Sequence, residues 1–348
     1  MRALTFNGVR SIGFETVDDP MIESPGDAIV RVELTAVCGS DLHVYHGREA
    51  GLDQGTVMGH EFVGDVVEVG AGVRKAAAGM RVLSPFSTSC GLCFYCTRGL
   101  TARCVAGQLF GWVQQGHGLH GGQAQYVRVP LADGTLVPIP EDVTPEEGLL
   151  LGDILSTGYY CARQAEVGPG GTYVVVGCGP VGLLAVVAAR ELGAENLFAV
   201  DRVPERLELA RRFGAIPIDF SSTDVVTEVH EATGGRGADG VLEVVGNEAA
   251  HRLALDLVRP GGTISVVGVH NEAQFAFTPA EAYERNLTYR VGRCPARAVL
   301  EQVVPIVRAR RHDLGAVISH RMELADGARG YDIFDRKLDG CTKVVLRP

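Results

Sequence analysis

The stretch CGLCFYCTRGLTARC places thiols at Cys90, Cys93, Cys96 and Cys104. Four thiols this close can form a disulfide staple, a redox pair, an iron–sulfur cluster or a metal clip. A bacterial ferredoxin-type run brings its last cysteine after three residues and follows it with proline. Here seven residues intervene and Val105 follows. A C-x-x-C redox pair would leave Cys96 and Cys104 without a role. Structural zinc wants four tetrahedral thiolate or imidazole ligands and no open position, and this lobe supplies all four. A site closed in that way has no room for substrate, so the reaction chemistry belongs elsewhere.

A catalytic zinc needs three protein ligands and an open fourth position. CGSDLH (38–43) and GHEFVG (59–64) offer Cys38 and His60, with Glu61 directly after the histidine as a partner or exchangeable ligand. Taken singly, each is ordinary: Cys38 reads as a core thiol and His60 as a turn histidine. Asp153, in LGDILSTGYY, is an acid among apolar neighbours. Buried carboxylates are rare unless paired or metal-bound, which makes Asp153 the candidate third ligand.

A second constellation is VVVGCGPVGLL, with Gly177, Gly179 and Gly182 as G-x-G-x-x-G and Pro180 and Val181 between the last two. The first glycine permits the tight turn, the second lets backbone approach a pyrophosphate, and the third allows close helix–strand packing. The helix N-terminus that follows presents free N–H groups to phosphate. Asp201 stands 19 residues past Gly182, at the end of the next expected strand, where a carboxylate accepts from ribose hydroxyls and repels a 2′-phosphate. That favours NAD over NADP. The neighbouring Arg202 is the residue that argues the other way.

These residues need elements to hold them. From Met1 to about Ile154 the chain reads as short β runs, including 28–37, 61–70 and 124–130, broken by Gly, Pro and Asp. After Ser156 strands at 172–177, 196–201, 215–219, 240–245, 263–268 and 287–291 alternate with helical patterns such as PERLELARRFG. That rhythm implies a parallel, doubly wound sheet. The tail from about Cys294 carries one helical stretch and a last strand. The expectation is α/β: a β-rich domain at 1–155 with its cysteine lobe at 88–105, a Rossmann domain inserted at 156–293, and a return at 294–348.

Composition narrows the function classes. The net charge of −10 argues against nucleic acid, whose phosphates call for a basic face. The longest apolar run, 173–189, is interrupted by GCGPVG, so a buried strand–turn–helix is expected there rather than a membrane span. The first residues lack the apolar core of a secretory signal; the expected setting is cytoplasmic, where clustered thiols bind metal more often than they form disulfides. His117 and His120 read as part of a glycine-rich loop, with pocket lining as the alternative, and His46 and His270 as residues that could face the substrate or cleft. Cys161, Cys178, Cys294 and Cys341 read as small buried residues.

CGSDLH, GHEFVG, the four-cysteine lobe, LGDILSTGYY, VVVGCGPVG and DGCTKVVLRP, in this order, resemble the zinc-containing alcohol dehydrogenases of the medium-chain dehydrogenase/reductase superfamily. The resemblance runs the length of the chain. It implies a GroES-like catalytic domain built from both chain ends, a Rossmann domain between, an active site in the cleft, NAD, and two zinc ions per chain. It matches Cys38, His60 and Asp153 to catalytic zinc ligands, and Ser40 and His43 to a proton path. It matches Thr157, Gly268 and Val269 to the nicotinamide end of the cofactor, and Lys343 to a basic residue near the pyrophosphate. It implies a small alcohol or carbonyl substrate and a dimer or tetramer. Gly39 departs from relatives that place His or Arg there. Sorbitol-type polyol dehydrogenases have similar opening motifs, and LGDILSTGYY resembles the corresponding stretch of formaldehyde dehydrogenases and aldehyde dismutases. A non-catalytic protein binding NAD and zinc on the same fold is the alternative of a different class.

Overall fold

The strand Ala28–Val37 is the axis around which the catalytic residues are arranged. Eight of its ten residues are apolar or threonine and buried, the exceptions being Arg31 and Glu33, and it carries partners on both edges. The computed structural model describes residues 1–348 and divides into two units. The first comprises Met1–Asp153, Pro295–Arg310 and Ile318–Pro348; the second comprises Ile154–Cys294 and Arg311–Val317. Residues 311–317, expected in the returning tail, thus group with the second unit.

In the first unit Ala28–Val37 pairs antiparallel with Phe62–Val69 and, on the other side, with Val344–Arg347 and Tyr126–Val129. Val30, Val32, Phe62, Val66, Val82, Val127 and Val129 pack into one buried cluster. Each such side chain stabilises by about 1.5–3 kcal/mol relative to exposure, and a one-residue slip would turn the set to the opposite face. The register is therefore specified by burial. The acidic run DVTPEEG opens the helix Pro145–Gly152, where Thr144 and Glu147 form a capping box and Pro145 takes the first turn.

The second unit is a six-stranded parallel sheet in the spatial order Ile216–Asp219, Asn196–Asp201, Thr172–Val176, Ala238–Glu243, Val258–Val266, Thr288–Val291. Chain order reverses between Thr172–Val176 and Ala238–Glu243, the switch point at which such sheets bind ligands. The apolar run at 173–189 resolves into the strand Thr172–Val176 and the helix Pro180–Glu191. No helix is long and apolar enough to cross a membrane. The helix Pro204–Arg212 ends just before Gly214, which takes φ +97° as a helix-terminating glycine does.

Candidate active site and metal centres

Strand register explains how distant residues meet. Thr35 lies opposite Phe62, so Cys38, just past one strand, approaches His60, just before the other. The Thr35 hydroxyl donates to the Glu61 carbonyl at 2.7 Å and ties the two strand ends together. On the opposite edge Val37 faces Val344, which brings Lys343 alongside. Asp153 follows the helix Pro145–Gly152. A Cβ on Gly152 would meet the Ser84 carbonyl at 2.6 Å, so glycine lets that helix end lie tight against the sheet.

The ligand atoms of Cys38, His60, Glu61 and Asp153 all lie within 4.8 Å of one another. Asp153 Oδ2 is 3.4 Å from His60 Nε2 and 3.7 Å from Cys38 Sγ. Ser40 Oγ sits 3.4 Å from Cys38 Sγ and 3.3 Å from His60 Nε2. Lys343 Nζ donates to Glu61 Oε1 at 2.6 Å, both side chains being fully buried. Lys343 therefore does not match the expected pyrophosphate contact: pairing of its strand against Val37 turns it into the interior beside the acids.

The donor set fits a divalent cation. One thiol and two carboxylates are buried beside a partly exposed imidazole and a single lysine, and isolated buried charge is costly. Glu61 Oε2 has no hydrogen-bond partner in the protein. Burial first, then Glu61 and Asp153, push the Cys38 thiol up, so its thiolate calls for a cation. Burial works against charging His60, but Asp41, Cys38 and Asp153 together outweigh it and raise its pKa.

Asp41 is the residue that sequence reasoning missed here. It is buried in the first turn of the helix Asp41–Tyr45. Its Oδ1 is 3.1 Å from His60 Nδ1, and its Oδ2 accepts from the Cys38 N–H at 2.9 Å. A signal existed: an acid inside CGSDLH, three residues past the cysteine.

The four lobe thiols also converge. Leu92 and Cys93 N–H groups point at Cys90 Sγ at 3.4 and 3.3 Å, and the Cys90 N–H points at Cys104 Sγ at 3.2 Å. Backbone N–H groups of Cys96 and Val105 hold the Cys93 thiol down to about 6, while burial pushes Cys96 up to about 12. Four sulfurs under N–H donors suit a thiolate quartet neutralised by one metal. All nine cysteines are free, and Cys161, Cys178, Cys294 and Cys341 are buried as expected.

At the glycine turn, Gly177 takes φ +98° and a Cβ on Gly182 would lie 1.8 Å from the Gly177 carbonyl oxygen. Over Gly179 only Arg206 Nη1 comes within 4 Å, at 3.9 Å. That leaves open backbone beside the N-terminus of Pro180–Glu191, a 12-residue helix and so a suitable anion cradle. Asp201 Oδ2 accepts from Cys178 N–H at 2.8 Å; Oδ1 accepts from Arg202 and Val203 at 2.7 and 3.0 Å. A Cβ on Gly268 would meet Gly246 N at 2.3 Å, and Val269 is exposed. Thr157 is buried on the helix Ile154–Gln164. His270 Nε2 pairs with Glu243 at 3.2 Å, which raises its pKa. His120 accepts from the Val57 N–H at 3.1 Å, and His46 pairs with Asp335 at 2.7 Å. These last three contacts lie outside both clusters.

Residues 24–141 match the alcohol dehydrogenase GroES-like domain and residues 180–308 the zinc-binding dehydrogenase domain. The chain belongs to the zinc-type alcohol dehydrogenase family. It is an oxidoreductase of the medium-chain class, with a GroES-like domain and a Rossmann-type sheet. The chain is 44% identical over 343 residues to zinc-type alcohol dehydrogenase B of Aspergillus flavus, covering 96% of this chain and 79% of that protein. The alcohol dehydrogenase TADH of Thermus sp. ATN1 superposes with a TM-score of 0.93 at 40% identity, covering 100% of this chain and 99% of that one. A zinc-binding dehydrogenase of Sinorhizobium meliloti 1021, solved bound to NADP, superposes at 0.85 with 27% identity, covering 100% and 99%.

Proposed function

We propose that the protein is an NAD-dependent, zinc-dependent alcohol dehydrogenase that transfers hydride reversibly between a primary or secondary alcohol and the nicotinamide. The observation that carries this reading is the Cys38–His60–Glu61–Asp153 cluster, in a chain that also bears a glycine turn ending a parallel strand. Zinc held by Cys38, His60 and Asp153, with Glu61 in reach, would supply Lewis acidity, lowering the pKa of an alcohol and polarising a carbonyl.

The chain's own residues handle the proton. The Ser40 hydroxyl, beside His60 and Cys38, both donates and accepts, so it takes the substrate hydroxyl proton. His43 lies three residues on, where one helical turn brings it to the same side. An imidazole both accepts and donates a proton, so His43 passes it on to solvent. Asp201 uses three acceptor positions on backbone N–H groups and, having about four, retains capacity for the adenosine ribose. Its charge supports NAD. Arg202 and the NADP-bound relative are the reason to measure both cofactors side by side. Gly177, Gly179, Pro180, Val181 and Gly182 are assigned to the pyrophosphate, and Thr157, Gly268 and Val269 to the nicotinamide end.

A cytoplasmic setting agrees with nine free thiols. Exposed Leu92, Phe94, Leu100 and Val105 on the lobe support self-association as a dimer or tetramer, which sedimentation would measure. The test of the activity is reduced-cofactor formation with a primary alcohol, a secondary alcohol, a polyol and formaldehyde, alongside metal analysis. Two zincs per chain are expected, one lost in Cys38→Ser together with activity. A single zinc that survives Cys38→Ser, or no turnover of any alcohol, would sink the reading.

A further inference from the structure

We infer that Gln123 and Tyr331 are positioning residues for the metal cluster, acting through Asp41 on His60. This rests on the zinc reading above and extends it to residues outside the ligand set.

The contacts form one buried line. The Tyr331 hydroxyl donates to Gln123 Oε1 at 2.9 Å. Gln123 Nε2 donates to the Ala36 carbonyl at 2.9 Å and to Asp41 Oδ2 at 3.3 Å. Asp41 Oδ1 then meets His60 Nδ1 at 3.1 Å. Tyr331 and Gln123 are fully buried and Asp41 is 5% exposed, so water does not compete along the line.

Each group has one chemically consistent role. A carboxylate only accepts, so His60 Nδ1 carries a proton toward Asp41, which leaves Nε2 as the nitrogen available to a metal. That Nε2 faces Asp153 and Ser40. The Gln123 amide nitrogen lies against two acceptors and its oxygen against a hydroxyl, which determines the amide orientation. Burial first, then Asp41, raises the Tyr331 pKa well above its ordinary value, so the hydroxyl remains a donor.

Backbone geometry gives an independent reason to assign the glutamine to this site. Gly59, directly before His60, takes φ +95°, and a Cβ there would lie 2.5 Å from Gln123 Cγ and 3.0 Å from Gln123 N. The segment at 121–123 is hydrogen-bonded along 57–59. Gln123 therefore occupies the space that the missing side chain before His60 leaves. Tyr331 belongs to the helix Gly327–Arg336, so the returning end of the chain reaches the histidine through this line.

Two isosteric variants test the assignment. Tyr331→Phe removes only a hydroxyl, and Gln123→Glu sets an acceptor against Asp41 and the Ala36 carbonyl. The measurement is zinc release to a chelator, with Cys38→Ser protein giving the lobe rate alone. Release from the cluster should quicken, on the order of tenfold for partners beyond the ligands, with lobe release unchanged. Tyr331→Phe should add little in an Asp41→Asn background, because both act on one line. Wild-type cluster release in both variants overturns the inference and leaves the zinc reading intact. Equal acceleration at both sites overturns it too, since that is general loosening. A wild-type chain with a single zinc retained by Cys38→Ser overturns the zinc reading and the inference with it.

Discussion

One oxygen of the Glu61 carboxylate accepts from Lys343, and the other has no hydrogen-bond partner in the chain. Burying such a pair is costly unless close geometry repays it, whereas removing one partner leaves an uncompensated buried charge. Lys343→Met in zinc-stripped protein should therefore lower stability by about 3–5 kcal/mol, measured by urea unfolding. The double variant Lys343→Met with Glu61→Gln should recover much of that loss. An unchanged urea midpoint for Lys343→Met would show that the ion pair does not contribute as its burial implies. Sequence resemblance assigned Lys343 to phosphate; its burial beside Glu61 assigns it to the acids instead.

Among the elements, the strand–turn–helix at 172–191 is the most sensitive to a single atom. Gly182 on Pro180–Glu191 lies so close to the Gly177 carbonyl that a methyl would overlap it at 1.8 Å. Only displacement of the helix start can relieve that, and the helix start is the proposed phosphate cradle. Gly182→Ala should raise the KM for NAD by tenfold or more, about 1.4 kcal/mol of lost cofactor binding, while cluster zinc content stays at wild type. A normal KM for NAD in this variant would count against the phosphate cradle. By contrast, Gly179 has open space above it, and the same substitution there obstructs ligand rather than fold.

At the scale of the whole molecule each unit has its own chemistry and its own reporter. Trp112 is the single tryptophan and belongs to the first unit, which also holds both metal clusters. Metal that binds only the folded state stabilises the unit holding it. Chelation should lower the thermal midpoint read from Trp112 emission, while hydrogen exchange in Thr172–Val176 stays at the metal-loaded rate. Added NAD should slow exchange in that strand. Loosening of Thr172–Val176 on chelation would contradict this separation.

Local spacing and periodicity made much of this protein readable in one dimension. The cysteine lobe, CGSDLH, GHEFVG and the glycine turn keep their chemistry within a few residues, and Ala28–Val37 and the six parallel strands follow from apolar runs and turn residues. The sequence by itself therefore determined the family, the fold class, the ligand candidates and the nucleotide turn. Only the tertiary structure decided that Lys343 pairs with Glu61 from 282 positions away and that Tyr331 reaches Gln123 across 208. It also decided that Asp41 turns inward to His60 rather than outward to water. Strand pairing with Val37 opposite Val344 and Thr35 opposite Phe62 selects those neighbours. Register is set by which faces are buried, and that is a property of the assembled sheet rather than of any one strand.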